Sequence, residues 1–381
     1  MDDRAVAVAF TARFVDELLS GAWTVLTPTF RRVFGLNLFQ VGLLVQVLEW
    51  VALVVEPLAA SMIDHSSRRR LLAGGAAVLV LSTVAMAAAP GFAVLLLGFA
   101  LYGVGSGPLA HTADVVVLES FPHDPERAYS RATVLDTCGA LLGPAAVAVA
   151  LFAGASWRVV LLLLAVVVGG YAWTASRAAF PAPPRVRTDG ESVLGAFAAG
   201  VRAAVAHPEI RRSLLVLFAF DLFEAAFVLK YVWLHDDVGL SEPAVALWAV
   251  GEQLVGIGAL LVLDRWLAGR APRRILQVAA AVLVVLPAAW VAAPGVGGRV
   301  VLAIPLAFST ALVWPLAKTR SLTIAPELAG ASQAVTTLYP IIPLTLAETW
   351  LASTVGIGPA MAVTAALGAG LMLLLTLGDD T

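Results

Sequence analysis

Charge is what this chain has least of. Asp, Glu, Lys and Arg make up only 13% of its 381 residues, about half the share of an ordinary soluble domain. Cysteine is nearly missing too. One residue, Cys138, excludes an internal disulfide and any cysteine-held zinc or iron–sulfur site. There is no basic excess either, since the net charge is −2. Nothing therefore points to nucleic acid, which calls for a clustered basic face. G-x-S-x-G, H-E-x-x-H and the P-loop are all absent, which argues against those hydrolase classes and against direct ATP drive.

What remains is apolar. Hydrophobic residues form 60% of the chain and the mean hydropathy is +0.91. Water cannot host so much apolar surface in a core of this size, whereas lipid can. In lipid the backbone must satisfy its own hydrogen bonds, so each apolar run must be a helix of roughly 20 residues. Proline, glycine and charge clusters punctuate the runs. They predict twelve spans, at 6–30, 37–62, 71–89, 92–120, 131–153, 157–177, 212–234, 243–264, 273–292, 298–322, 331–353 and 357–377. The acidic opening Met1-Asp2-Asp3-Arg4 lacks the features of a cleaved signal. The first span is expected to be retained.

The longest polar gap separates two sets of six. It implies an N-terminal bundle over 1–178, a linker over 179–211 and a C-terminal bundle over 212–381. Glu191 to Ala206 is either plain linker or a short amphipathic surface helix. Arginines crowd one set of loops: Arg68 to Arg70, Arg127 and Arg131, Arg177 to Arg212, and Arg265 to Arg274. The other set holds only Arg31, Arg32, Arg158 and Arg299. The bias predicts a multi-pass inner (plasma) membrane protein of bacterial type with both termini cytoplasmic. Arg31 and Arg32 run against it.

A repeat joins the halves. Pro108-Leu109-Ala110-His111-Thr112 matches Pro315-Leu316-Ala317-Lys318-Thr319. Asp64 and Asp264 each end a span beside a basic cluster. Asp16 and Glu17 on the first span answer to Asp221 and Glu224 on the seventh. Parallel duplicated halves around a shared binding site are a transporter architecture.

These features resemble the major facilitator superfamily along the whole chain. The segment Asp64-His65-Ser66-Ser67-Arg68-Arg69 is similar to that family's loop between helices 2 and 3, keeping the acid and the basic pair without the glycines. A second copy retains Asp264, Arg265 and Arg270. The resemblance implies a cytoplasmic gate, an acid at one helix end meeting arginines and a neighbouring helix dipole. The bland alternative is that the arginines only set topology. Gly139, Gly143 and Pro144 match the core of the family's antiporter motif, G-x-x-x-G-P. They imply efflux; small-residue packing is the alternative. Phe14 to Gly21 is similar to the fosmidomycin-resistance branch, which implies a drug/proton antiporter.

Charge within a span costs at least about 2.5–3.5 kcal/mol, yet this chain keeps many charges there. Asp16, Glu17, Glu49, Asp221, Glu224 and Glu252 fall near the midplane. Glu56, His111 and Asp114 lie nearer the cytoplasm, and Glu348 towards the outside. Gln46, Glu49 and Glu56 share a helix face. Asp16 and Glu17, being adjacent, point about 100° apart. Low-dielectric surroundings favour a neutral carboxyl, which can load and release a proton. These ten residues are the candidate substrate and proton sites. Asp114, Asp136, His111 and Lys318 also read as structural charge pairs, and Arg13 and Lys230 as neutralisers of nearby acids.

The expected function is secondary transport by alternating access, with no enzyme activity. The favoured form is proton-coupled efflux of a small organic compound, cationic or zwitterionic, as in multidrug resistance. Export of divalent metal or of lipid on the same fold is the alternative, and a membrane-embedded enzyme or assembly subunit is the remote one. No cofactor or bound metal is expected beyond a coupling proton. The expected partners are the cargo and membrane lipid, with the chain acting as a monomer.

Overall fold

In a computed structural model the chain is described at residues 3–63, 67–121, 125–180, 202–203, 205–267, 272–323, 335, 338 and 341–377. Described secondary structure is helical apart from turns. In chain order the helices are α1 (Asp3–Val25), α2 (Thr27–Phe34), α3 (Leu38–Ile63), α4 (Arg68–Ala88), α5 (Phe92–Ser120), α6 (Pro125–Phe152) and α7 (Trp157–Arg177). There follow α8 (Pro208–Ala226), α9 (Lys230–Asp236), α10 (Glu242–Leu267), α11 (Pro272–Ala292), α12 (Gly295–Thr323), α13 (Leu344–Val355) and α14 (Ile357–Leu377). The fold is that of a twelve-span, all-helical polytopic membrane protein.

Nine described helices are long and apolar enough to cross a membrane. The other three expected spans differ for visible reasons. Helix α1, which forms most of the first, carries Arg4, Arg13, Asp16 and Glu17. Helix α8, which forms most of the seventh, carries Glu209, Arg211, Arg212, Asp221 and Glu224. Most of the first half of the eleventh, 331–343, lies outside the described residues.

Two spans expected to be continuous are broken. The first gives way at Leu26, with Pro28 in the opening turn of α2, where a missing N–H costs nothing. The seventh gives way over Phe227 to Leu229, whose φ/ψ values of −93°/4° and −95°/5° at its two ends leave the helical well. The first helix of each half thus ends in a short extra helix. The repeat peptide behaves alike in both halves too. Leu109 and Ala110, like Leu316 and Ala317, are buried, while His111 and Lys318 are half-buried.

The chain forms two compact units, one of residues 1–188 with 239–250, the other of 189–238 with 251–381. Lipid gives helices no hydrophobic reason to associate, so close packing of small residues does that work. In the first unit α4 crosses α5 where Gly75 and Gly105 meet. A Cβ on either would stand 2.8 Å from the other's carbonyl oxygen. On α5, Gly103 abuts α3 so closely that a Cβ would stand 2.5 Å from the Leu48 oxygen. In the second unit Gly368 lets α14 lie on α8, where a Cβ would stand 2.7 Å from the Phe223 nitrogen.

Candidate functional site

The glycines of α6 set the position of the first acids. Gly139 and Gly143 on α6 face the backbone of α1 at Phe14 and Leu18, and Pro144 fits against Gly21, where a Cβ would stand 2.7 Å from its Cδ. Gly139 also lies under Glu17, with its would-be Cβ 3.0 Å from the Glu17 Cβ. Glu17 therefore leans towards α6. Asp16, one residue earlier, turns to α5. Its Oδ1 accepts from the Tyr102 hydroxyl at 2.9 Å and its Oδ2 from the Ser106 hydroxyl at 2.8 Å. The two acids diverge as helical geometry requires. Tyr102 and Ser106 were not singled out from sequence; their i, i+4 spacing on a span is the signal that would have marked them.

One turn before Asp16, Arg13 binds Asp136 on α6. Its Nη2 lies 2.6 Å from Oδ2 and its Nε donates to Oδ1 at 3.0 Å. Its Nη1 reaches Asp114 on α5 at 3.5 Å. One guanidinium therefore joins three helices and faces two acids. His111 lies 3.5 Å from Glu56, an ion pair only when the imidazole is protonated. On α3, Gln46 donates to Glu49 at 3.0 Å.

The second unit has its own charge centre. Lys230, at the start of α9, sits 2.7 Å from Glu252 on α10, and the Tyr231 hydroxyl donates to the same oxygen at 3.2 Å. Lys230 thus neutralises Glu252, one of the acids taken from sequence as a proton site. Asp221 is half-buried and Glu224 exposed. Glu348 stands apart from these groups. It is 2% exposed and accepts from Thr364 at 2.6 Å, and its other oxygen, buried, has no partner among the described residues.

At the expected gate, Arg68 is 2% exposed and both of its Nη atoms pair with Glu119 at the end of α5, Nη2 at 2.7 Å from Oε1. The acid that sequence missed is Glu119, hidden because it lies 51 residues from its partner. Arg69 is exposed. The side chains of Asp64, Asp264, Arg265 and Arg270 lie outside the described residues.

Comparison with known proteins agrees with this architecture. A point mutant of the nucleoside transporter NupG superposes with a TM-score of 0.79 at 13% identity, covering 99% of this chain and 100% of that one. A bacterial homologue of the human lysosomal transporter Spinster, inward-facing and unoccupied, gives 0.72 at 14% identity, covering 98% and 93%. The human organic anion transporter MFSD10 gives 0.68 at 16% identity, covering 98% and 99%. At these identities the likeness is one of fold. No curated protein sequence matches. The Major Facilitator Superfamily model matches residues 5–339, and the chain belongs to that superfamily.

Proposed function

We propose that this protein is a secondary transporter that exports a small cationic or zwitterionic organic compound in exchange for protons. The observation that carries the reading is the acid excess within the first unit. Asp16, Glu17, Glu49, Glu56, Asp114 and Asp136 lie on four helices with Arg13 and His111 as the basic groups beside them. Arg13 is committed to Asp136 and Asp114. Asp16 is held by two hydroxyls. A charge in a span is costly, so such acids are stabilised by a proton or by a cation that replaces it.

That competition is the coupling. Protonated acids release a cation, and a bound cation expels the protons, so each ligand favours the form the other disfavours. Cation affinity therefore falls as pH falls. In the second unit Asp221 and Glu224 are the counterparts of Asp16 and Glu17. A proton or cargo reaching Glu252 has to displace Lys230. The Arg68–Glu119 pair, with Arg69 beside it, acts as the gate tie on the basic side. Gly139, Gly143 and Pro144 hold α6 against the acid-bearing face of α1. The reading favours the drug/proton antiporter side of the family, in a bacterial-type plasma membrane with cytoplasmic termini. Among the described residues no three His, Cys, Asp or Glu side chains converge as a cation site, so organic cargo is preferred to a divalent metal.

The test uses inside-out vesicles with an acid lumen and a panel of fluorescent organic cations. Uptake is expected to collapse when the pH gradient is discharged. Asp16→Asn and Asp221→Asn should each cut gradient-driven uptake by at least about tenfold, the effect of losing about 1.4 kcal/mol of coupling. Both variants moving cargo with the pH profile of the parent protein would defeat the assignment.

A further inference from the structure

We propose that a groove between α11 and α12 is a binding site for an anionic phospholipid. The site does not depend on the transport reading. The groove has a volume of about 430 Å³ and is lined by Ile275, Val278, Ala279 and Val282 of α11 and Phe308, Ser309 and Leu312 of α12, with Arg274 at one end. That volume falls within the range of about 300–1,000 Å³ typical of small-molecule sites. Its lining matches an acyl chain, since every side chain but Ser309 and Arg274 is apolar.

The headgroup end is set by a division of labour between two neighbouring arginines. Arg273 donates to the Thr376 carbonyl at 3.0 Å and the Leu377 carbonyl at 3.2 Å, and Gln277 donates to Thr376 at 2.9 Å. Those contacts cap the orphan carbonyls at the end of α14. Arg274 is exposed and has no hydrogen bond or ion pair to any described residue. It belongs to the arginine-rich end of the spans, the side where anionic lipids attract basic residues and where basic pockets between helices take lipid headgroups. Arg274, Val278 and Val282 follow at i, i+4 and i+8, a single stripe about 12 Å long. Val278 is 64% exposed, so the stripe is open along its length. A phosphate on the Arg274 guanidinium and an acyl chain along the valines satisfy both ends of one molecule.

The test is native mass spectrometry of the full chain, released from nanodiscs of equal parts phosphatidylglycerol and phosphatidylcholine. The parent protein is expected to retain phosphatidylglycerol preferentially. Arg274→Gln should lower the ratio of the two retained lipids about fivefold, the contribution of one juxtamembrane arginine, and Arg274→Lys should keep it. Val278→Trp and Val282→Trp, which fill the groove, should reduce both lipids at unchanged thermal stability. Arg70→Gln, at an exposed arginine that does not line the groove, should change nothing. The proposal is overturned if Arg274→Gln leaves the ratio intact, if Arg70→Gln lowers it equally, or if both tryptophan variants retain lipid like the parent.

Discussion

The two units solve one packing problem with different locks. In the first, the opening helix α1 is clamped to α6 by Gly21, Gly139 and Gly143, and three helices are tied together by Arg13. In the second, the opening helix α8 is clamped to the last helix, α14, at Gly368, and Lys230 pairs with Glu252. The repeat visible in the sequence governs the order of elements, the broken first span and the burial of Leu-Ala in each fourth span. It does not fix where Arg13 and Lys230 stand, the one within α1 and the other at the start of α9, after the break that ends α8.

The sharpest way to probe that divergence is to remove the cation from each unit. Losing one partner of a buried ion pair costs about 3–5 kcal/mol, because the other charge stays buried and unpaired. Arg13→Met strands two carboxylates, Asp136 and Asp114, which are 14% and 23% exposed, so water screens part of the charge and the loss should lie near the bottom of that range. Lys230→Met removes the cation beside Glu252, which keeps the Tyr231 hydroxyl as donor, and should cost less. The double variant Lys230→Met with Glu252→Gln should recover most of that loss, since the Glu252 carboxylate is no longer left without its cation. Thermal and denaturant unfolding in detergent measures all three. Equal losses from Arg13→Met and Lys230→Met would erase the difference drawn between the units.

A smaller effect separates the glycine crossings. Gly143→Ala places a methyl against the α1 backbone, 2.8 Å from the Ala22 nitrogen, and overpacking of this kind costs about 1–3 kcal/mol. On α10 of the second unit, a Cβ on Gly256 would meet only the Ala311 Cβ at 3.7 Å. Gly256→Ala should therefore stabilise by about 0.5–1 kcal/mol through the better helix propensity of alanine. The comparison between crossings fails if the two substitutions shift the melting temperature in the same direction.

Much of this was legible beforehand. The spans at 92–120 and 157–177 coincide with α5 and α7 end to end, because hydropathy and flanking glycine, proline and charge mark a lipid-bound helix strongly. The divergence of Asp16 from Glu17 followed from helical geometry alone. What sequence did not show was partnership across the chain. Arg13 with Asp136, Arg68 with Glu119 and Glu348 with Thr364 each depend on which helices pack together, and periodicity within one helix carries no such information. The breaks at Leu26 and Phe227 were hidden for another reason. Both fall within apolar stretches, where hydropathy stays high while the backbone turns.

The smallest predicted effect concerns an arginine that runs against the charge bias. Arg32, on α2, pairs with Glu242 at the start of α10 at 2.6 Å, within the unit that includes residues 239–250. Arg32 is 62% exposed, and exposed pairs contribute about 0–1 kcal/mol, screened further by salt. Arg32→Glu should therefore lower stability by less than about 1 kcal/mol, an effect that fades as ionic strength rises. The reversed pair, Arg32→Glu with Glu242→Arg, should restore the parent value. Unfolding measured at low and high salt decides the matter. A loss as large as that of Arg13→Met, or one indifferent to salt, would show that this contact belongs with the half-buried charge centres and not with the surface.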